Sequence, residues 1–165
     1  ARTFQTVKIF PDVSVLRNVM VGVLFGTGHR VSSATARQKA EEALEFVGMT
    51  AHLDLPAGDL TLANQKRLEV ARAIASEPEL LLLDELMAGL TPTEVSEAME
   101  DITRLRNRGI TIIMIEHLMQ AIMAISDRII VLDYGKKIAE GKPEEVATDK
   151  KVIEVYLGEE CDAGS

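Results

Sequence analysis

The sequence predicts an α/β fold, mostly helical up to about Pro78 and then alternating between strands and helices. Three observations carry that reading. Leu80-Leu81-Leu82-Leu83, Ile110-Thr111-Ile112-Ile113-Met114-Ile115 and Ile129-Ile130-Val131-Leu132 are short, continuously apolar runs, as expected of strands buried in a parallel sheet. The segments between them repeat apolar residues at helical spacing. Strands separated by helices imply parallel pairing through right-handed crossovers.

Each element follows from local chemistry. Asp12 or Ser14 caps a short helix through Val21, and Gly22 to Arg30 reads as a loop. Ser32 or Ser33 caps a second helix to about Val47, with Ala36, Ala40, Ala43, Leu44 and Val47 on one face. Gly48 terminates it. A loop with Pro56, Gly58 and Asp59 precedes a third helix from about Asn64 to Ser76, with Leu68, Ala71 and Ala75 inward. After the leucine strand, Thr93 caps a helix to about Asn107, with Val95, Met99, Ile102 and Leu105 on one face. Residues from His117 to about Ser126 read as a short helix. Asp133-Tyr134-Gly135-Lys136 is a tight turn into a short strand, Lys137 to Glu140. Two small helices, Pro143 to Ala147 and Lys151 to Leu157, complete the pattern.

With 47% apolar residues, the 165-residue chain has material for a real core, and the absence of Trp makes that core aliphatic. A net charge of −8 disfavours nucleic acid as a partner, because phosphate neutralisation needs clustered Lys and Arg. One cysteine, Cys161, cannot form an internal disulfide, which fits a reducing compartment. No uninterrupted apolar run approaches the roughly 18 residues that a bilayer span requires.

The chemistry concentrates where the leucine strand ends in Asp84-Glu85. Ligands of open α/β sheets bind at the carboxyl ends of strands. Two acids there suit a Mg²⁺-nucleotide site, with Asp84 on the metal and Glu85 orienting or deprotonating a water. The plainer reading is a buried strand ending in solvated acids.

Order and spacing favour the first. Phe4-Gln5, then Leu60-Thr61-Leu62-Ala63-Asn64-Gln65-Lys66-Arg67 followed by Ala71-Arg72-Ala73, then Leu80 to Glu85, Ala88-Gly89-Leu90-Thr91 and Ile115-Glu116-His117 form a five-part series. In that order they resemble the Q-loop, signature helix, Walker B strand, D-loop and switch histidine of ATP-binding-cassette (ABC) transporter ATPases. The resemblance covers essentially the whole chain. Ala1 to Gln5, Gly89-Leu90-Thr91-Pro92-Thr93-Glu94, Ile115 to His117 and the ending Val155-Tyr156-Leu157-Gly158-Glu159 are most similar to the ATP-binding subunits of branched-chain amino acid importers.

The resemblance implies a P-loop NTPase-like (RecA-like) core lacking its N-terminal strands, joined to an ABC helical subdomain. Residues 1–77 would carry the Q-loop, helical subdomain and signature helix; residues 78–165 would carry the C-terminal part of the nucleotide-binding core. It assigns Glu85 as general base, Asp84 and Gln5 to Mg²⁺, His117 to the γ-phosphate, and Gln5 to the link with the permease. Thr61, Leu62, Ala63 and Asn64 would face the ATP of a second ABC ATPase subunit, head to tail, at a helix N-terminus that favours anions. Leu62 and Ala63 stand where the common signature has two glycines, and Ala63 is the sharper departure because a methyl crowds a close backbone approach. Thr61 or Asn64 serves equally as an ordinary N-cap. The Gln5–Val13 region would meet the transmembrane permease, and Phe10-Pro11 is either a docking corner or a hydrophobic staple on the next helix. The expected location is cytoplasmic, peripheral on the inner membrane face.

No G-x-x-x-x-G-K-[ST] occurs in the sequence. In the family that phosphate loop lies upstream of the Q-loop, so the chain reads as a fragment. The expectations are that alone it neither binds ATP tightly nor hydrolyses it, and that it self-associates through uncovered sheet surface. Other readings are a non-catalytic interaction module, an importer subunit for urea or another amide, and a cassette ATPase of DNA repair or translation. The coiled coils, paired cassettes and basic surfaces usual in the last class are not visible.

Overall fold

A computed structural model describes residues 1–3, 7–26 and 30–157, gathered into two units, Ala1–Glu116 and His117–Ser165. Gln5 lies outside the described residues, as do Thr27 to His29 of the expected loop and Gly158-Glu159 of the family ending.

In the first unit three helices pack on one another: α1 (Val15–Gly26), α2 (Ser33–Phe46) and α3 (Leu62–Ile74). Ser14 begins α1, its hydroxyl accepting the Arg17 N–H at 3.4 Å. The helix does not stop at Val21 but continues to Gly26, into the residues expected to be a loop. Gly22 is there for a close approach. A Cβ at that position would lie 2.4 Å from the Arg72 carbonyl oxygen on α3, and one at Gly26 would lie 2.7 Å from the Ser76 Cβ. Two glycines four residues apart therefore let α1 cross α3 nearly backbone to backbone. On α2, Ala36, Ala40, Ala43 and Leu44 are buried as their spacing predicts, as is Val47 just beyond, and Ser32 is the cap. Thr61 caps α3, so Leu62 and Ala63 already belong to its first turn.

The strand β1 (Leu80–Asp84) pairs in parallel with β2 (Thr111–Ile115), Leu80 opposite Thr111 through Asp84 opposite Ile115. On the other side of β1, residues 1–3 run parallel to it: Thr3 N–H donates to the Leu82 carbonyl at 2.9 Å, and Leu82 N–H to that of Ala1 at 3.0 Å. The acid-bearing strand is thus central. The crossover is α4 (Pro92–Asn107), which starts one residue before the expected cap. Thr91 and Glu94 form a reciprocal capping box with Pro92 at the first helical position, and this beats Thr93.

Full burial of the strands is not borne out. Leu81 and Leu83 are buried, but Leu80 is 40% exposed, Ile113 55% and Ile115 60%. Register puts Leu80, Leu82, Thr111, Ile113 and Ile115 on one face, which nothing in this unit covers fully. An apolar run reports strand character; which face is covered depends on neighbours the run does not encode.

The second unit holds α5 (Met119–Ile125), β3 (Ile129–Asp133), β4 (Lys136–Gly141), α6 (Pro143–Ala147) and α7 (Lys150–Val152), which continues into a wide helical turn over Ile153–Leu157. β3 and β4 form an antiparallel hairpin rather than part of a parallel sheet. The expected tight turn causes this: Tyr134 and Gly135 both take positive φ, 42° and 76°, the geometry that reverses a strand in two residues. Ile129, Val131, Val146 and Val152 make the core.

Candidate active site

The candidate site begins where β1 ends. The Asp84 carboxylate accepts from the Arg2 guanidinium at 3.0 Å and remains 24% exposed. A single, partly open carboxylate suits Mg²⁺, which keeps several waters and takes one or two protein carboxylates beside substrate phosphates. Among the described residues no group of three His, Cys, Asp or Glu forms a dedicated cage.

Glu85 follows with φ +46°. For a residue with a Cβ, left-handed backbone costs about 1–2 kcal/mol, and it persists where surroundings over-determine it. Here they do. Glu85 N–H donates to the Ile115 carbonyl at 2.9 Å. The Lys66 ammonium, on α3, donates to the carbonyls of Glu85 at 3.1 Å, Leu86 at 2.8 Å and Ala88 at 2.6 Å. From the other side, Glu116 accepts the Met87 N–H at 2.8 Å. Leu86 and Met87 are buried, and Leu86 lines a small apolar cavity with Ala63, Val70 and Leu105. Packing and buried charge thus fix the loop after the acids.

Lys66, Glu69 and Arg72 are spaced by three along α3, and Lys66 and Glu69 are buried. Glu69 accepts the Lys8 N–H at 2.7 Å, while Arg72 donates to the Lys8 carbonyl and lies 3.5 Å from Glu69. Burial holds the Lys66 ammonium below its ordinary pKa, against Glu116, Glu69 and Glu85. Burial likewise raises the Glu69 carboxyl, against the Lys8 N–H, Arg72 and Lys66, and lowers Arg72.

At the N-terminus of α3, Thr61 is exposed and its hydroxyl accepts the Asn64 N–H at 3.4 Å. Leu62 is half exposed, and its side chain lies 3.2 Å from where a Cβ on Gly89 would sit, at φ +77°. Ala63 is 8% exposed and lines the small cavity beside Leu86, so its methyl group is turned toward the protein rather than out past the helix end.

The loop from Glu85 to Ala88 is therefore joined to α3 at Lys66, two residues beyond the Thr61–Asn64 turn. His117 is exposed and opens the second unit. The Phe10–Ser14 turn is pinned by Asn18, wholly buried, whose amide accepts the Phe10 N–H at 2.9 Å and donates to the Phe10, Val13 and Ser14 carbonyls at 3.0, 3.0 and 3.1 Å. Phe10 is 48% exposed, an open corner rather than a buried staple.

Sequence reasoning missed Lys66, Glu69, Asn18 and the grip of Glu116. Charges recurring every third residue, at Lys66, Glu69 and Arg72, among the apolar residues of α3 were the available signal.

A family model described as "ABC transporter" matches residues 1–88, and one described as "Branched-chain amino acid ATP-binding cassette transporter" matches residues 136–162. The "High-affinity branched-chain amino acid transport ATP-binding protein LivG" of Salmonella typhimurium is 40% identical over 171 aligned positions, covering 96% of this chain and 67% of that protein. The chain belongs to the ABC transporter ATPase family. The "Lipopolysaccharide export system ATP-binding protein LptB" of Haemophilus influenzae, another relative, is 34% identical, with 94% and 64% covered. Among solved structures, the ADP conformation of MJ1267, an ATP-binding cassette of an ABC transporter, superimposes with a TM-score of 0.82 at 29% identity, covering 96% of this chain and 68% of that one. The fold is accordingly that of the P-loop NTPase cassettes, as the motif series implies. No helix among the described residues is long and apolar enough to cross a membrane.

Proposed function

We propose that this chain supplies the metal- and water-handling half of an ABC ATPase site that powers import of branched-chain amino acids. The observation that carries this is the placement of Asp84 and Glu85 at the open end of a central strand, on a loop tied to α3. Asp84 would exchange its Arg2 partner for Mg²⁺, with Gln5 as a second ligand, and the metal when bound neutralises charge on the phosphates. Glu85 holds the water that attacks the γ-phosphate and takes its proton. His117 contacts the γ-phosphate. Thr61, Leu62 and Asn64 present the N-terminus of α3 to the nucleotide of a second cassette, and Ala63, turned inward, leaves that approach open. The exposed Phe10 corner, held by Asn18, docks the permease, which places the chain peripherally on the cytoplasmic membrane face. Without a phosphate loop in these residues, the 165-residue chain alone binds Mg²⁺-ATP more weakly than micromolar.

Cargo is inferred from the LivG likeness, because the cassette does not touch it. A strain lacking its branched-chain amino acid import ATPase, supplied with an ATPase that joins these residues to a phosphate loop, tests that inference. Restored leucine uptake supports it. Uptake of urea or another amide alone, or no uptake while the protein accumulates, overturns it.

A further inference from the structure

We propose that Lys66 is a positioning residue of the ATPase site: its buried ammonium fixes the backbone of residues 85–88 and thereby the direction in which Glu85 presents its side chain. The inference deepens the functional reading above and rests on Glu85 acting there.

An ammonium has three N–H donors. All three of Lys66 go to carbonyls within one four-residue loop, those of Glu85, Leu86 and Ala88, and the residue is 6% exposed. Burying a cation is costly unless it is fully hydrogen-bonded, and here backbone oxygens alone do it. Three carbonyls converging on a point repel one another without a charge between them. One of them belongs to Glu85, whose positive φ needs outside support. Glu116 completes the grip by holding the Met87 N–H from the end of β2.

The same helix reaches two other places. Thr61 caps it at one end, and Glu69 and Arg72 hold both polar groups of the Lys8 peptide. α3 has thirteen residues, so it is about 20 Å long at 1.5 Å per residue. A movement of this single strut is therefore imposed together on the Glu85 loop and on the segment after Gln5.

Amide hydrogen exchange on the 165-residue chain tests the grip without any need for activity. In Lys66→Met, which keeps the stem and loses the charge, exchange at Met87 and Ala88 rises at least tenfold, while Ala40 to Leu44 of α2 stay protected. Lys66→Arg, which restores a cation, recovers most of that protection. A uniform rise across both regions, no change at the loop, or no recovery with Arg would overturn the proposal. If Lys66→Met fails to fold, Glu116→Ala gives the same loop-confined rise by releasing Met87; an unchanged loop refutes the grip. In an ATPase joining these residues to a phosphate loop, Lys66→Met lowers kcat with KM for ATP unchanged, and adding it to Glu85→Gln lowers kcat no further. Additive losses would show that Lys66 does not act through Glu85. An inert Glu85→Gln beside a loosened loop would instead fault the role given to Glu85.

Discussion

Gly22→Ala sets two known effects against each other. Placing alanine inside an exposed helix gains about 1 kcal/mol over glycine. At Gly22 the added Cβ would sit 2.4 Å from the Arg72 carbonyl oxygen and 2.9 Å from the Arg72 Cγ, where real Cβ contacts stay at or beyond 3.0 Å. The first clash is with backbone of the neighbouring helix, so no rotamer change relieves it. Forcing a methyl into such a contact costs about 1–3 kcal/mol. α3 cannot retreat freely, since Arg72 and Glu69 grip Lys8 and Lys66 grips the Glu85 loop. The expected net effect is a loss of about 1 kcal/mol, the middle of a range of about 0–2. With urea slopes of about 1–3 kcal/mol per molar, the midpoint followed by far-ultraviolet circular dichroism falls by up to roughly 1 M. A midpoint that rises would mean that helix propensity dominates and that α1 and α3 do not cross closely.

Asn18→Ala strands the Phe10 N–H, while the Phe10, Val13 and Ser14 carbonyls keep the N–H groups of Val13, Ala57 and residue 18; at about 1–3 kcal/mol for a buried unpaired group, a loss near 2 kcal/mol is expected, with faster proteolysis between Phe10 and Val13, and unchanged cleavage would deny Asn18 this role. Because burial raises the Glu69 carboxyl above its ordinary 4.5, the folded state holds a proton that the unfolded state releases. Stability therefore declines as pH climbs from 4.5 through the raised folded value, and urea midpoints of Glu69→Gln should lack that decline; matching profiles would remove Glu69 as the source. The open faces bearing Ile113, Ile115, Ile130 and Leu132 should make the chain self-associate in light scattering, and Ile113→Lys with Ile115→Lys should lower the measured mass. A wild-type monomer at high concentration would contradict this.

Much of the architecture was legible because it is local. The inward alanines of α2, the Ser32 cap and the acid-terminated strand are fixed by residues within a few positions of one another. What was not legible depends on partners distant in sequence. Gly22 reads as a helix breaker until Arg72 lies against it. Lys66 reads as a solvated lysine until the 85–88 loop folds over it, and Asn18 as a surface amide until the Phe10 turn closes on it. The same holds for the strand runs, whose apolar content does not say which face is covered. For the site, the five-part series gave identity and order, while the geometry added how the loop from Glu85 to Ala88 is held: by a buried cation on one side and Glu116 on the other.

Turnover of Glu85→Gln bears most directly on the account. In an ATPase that joins these residues to a phosphate loop, single-turnover hydrolysis and ATP affinity are measured on the same preparation. Loss of a positioned base removes about 10²–10⁴-fold in rate, and the isosteric amide should leave ATP binding within about twofold of wild type. Hydrolysis at the wild-type rate would contradict the central assignment, and equal losses in binding and rate would make Glu85 a binding residue rather than the base.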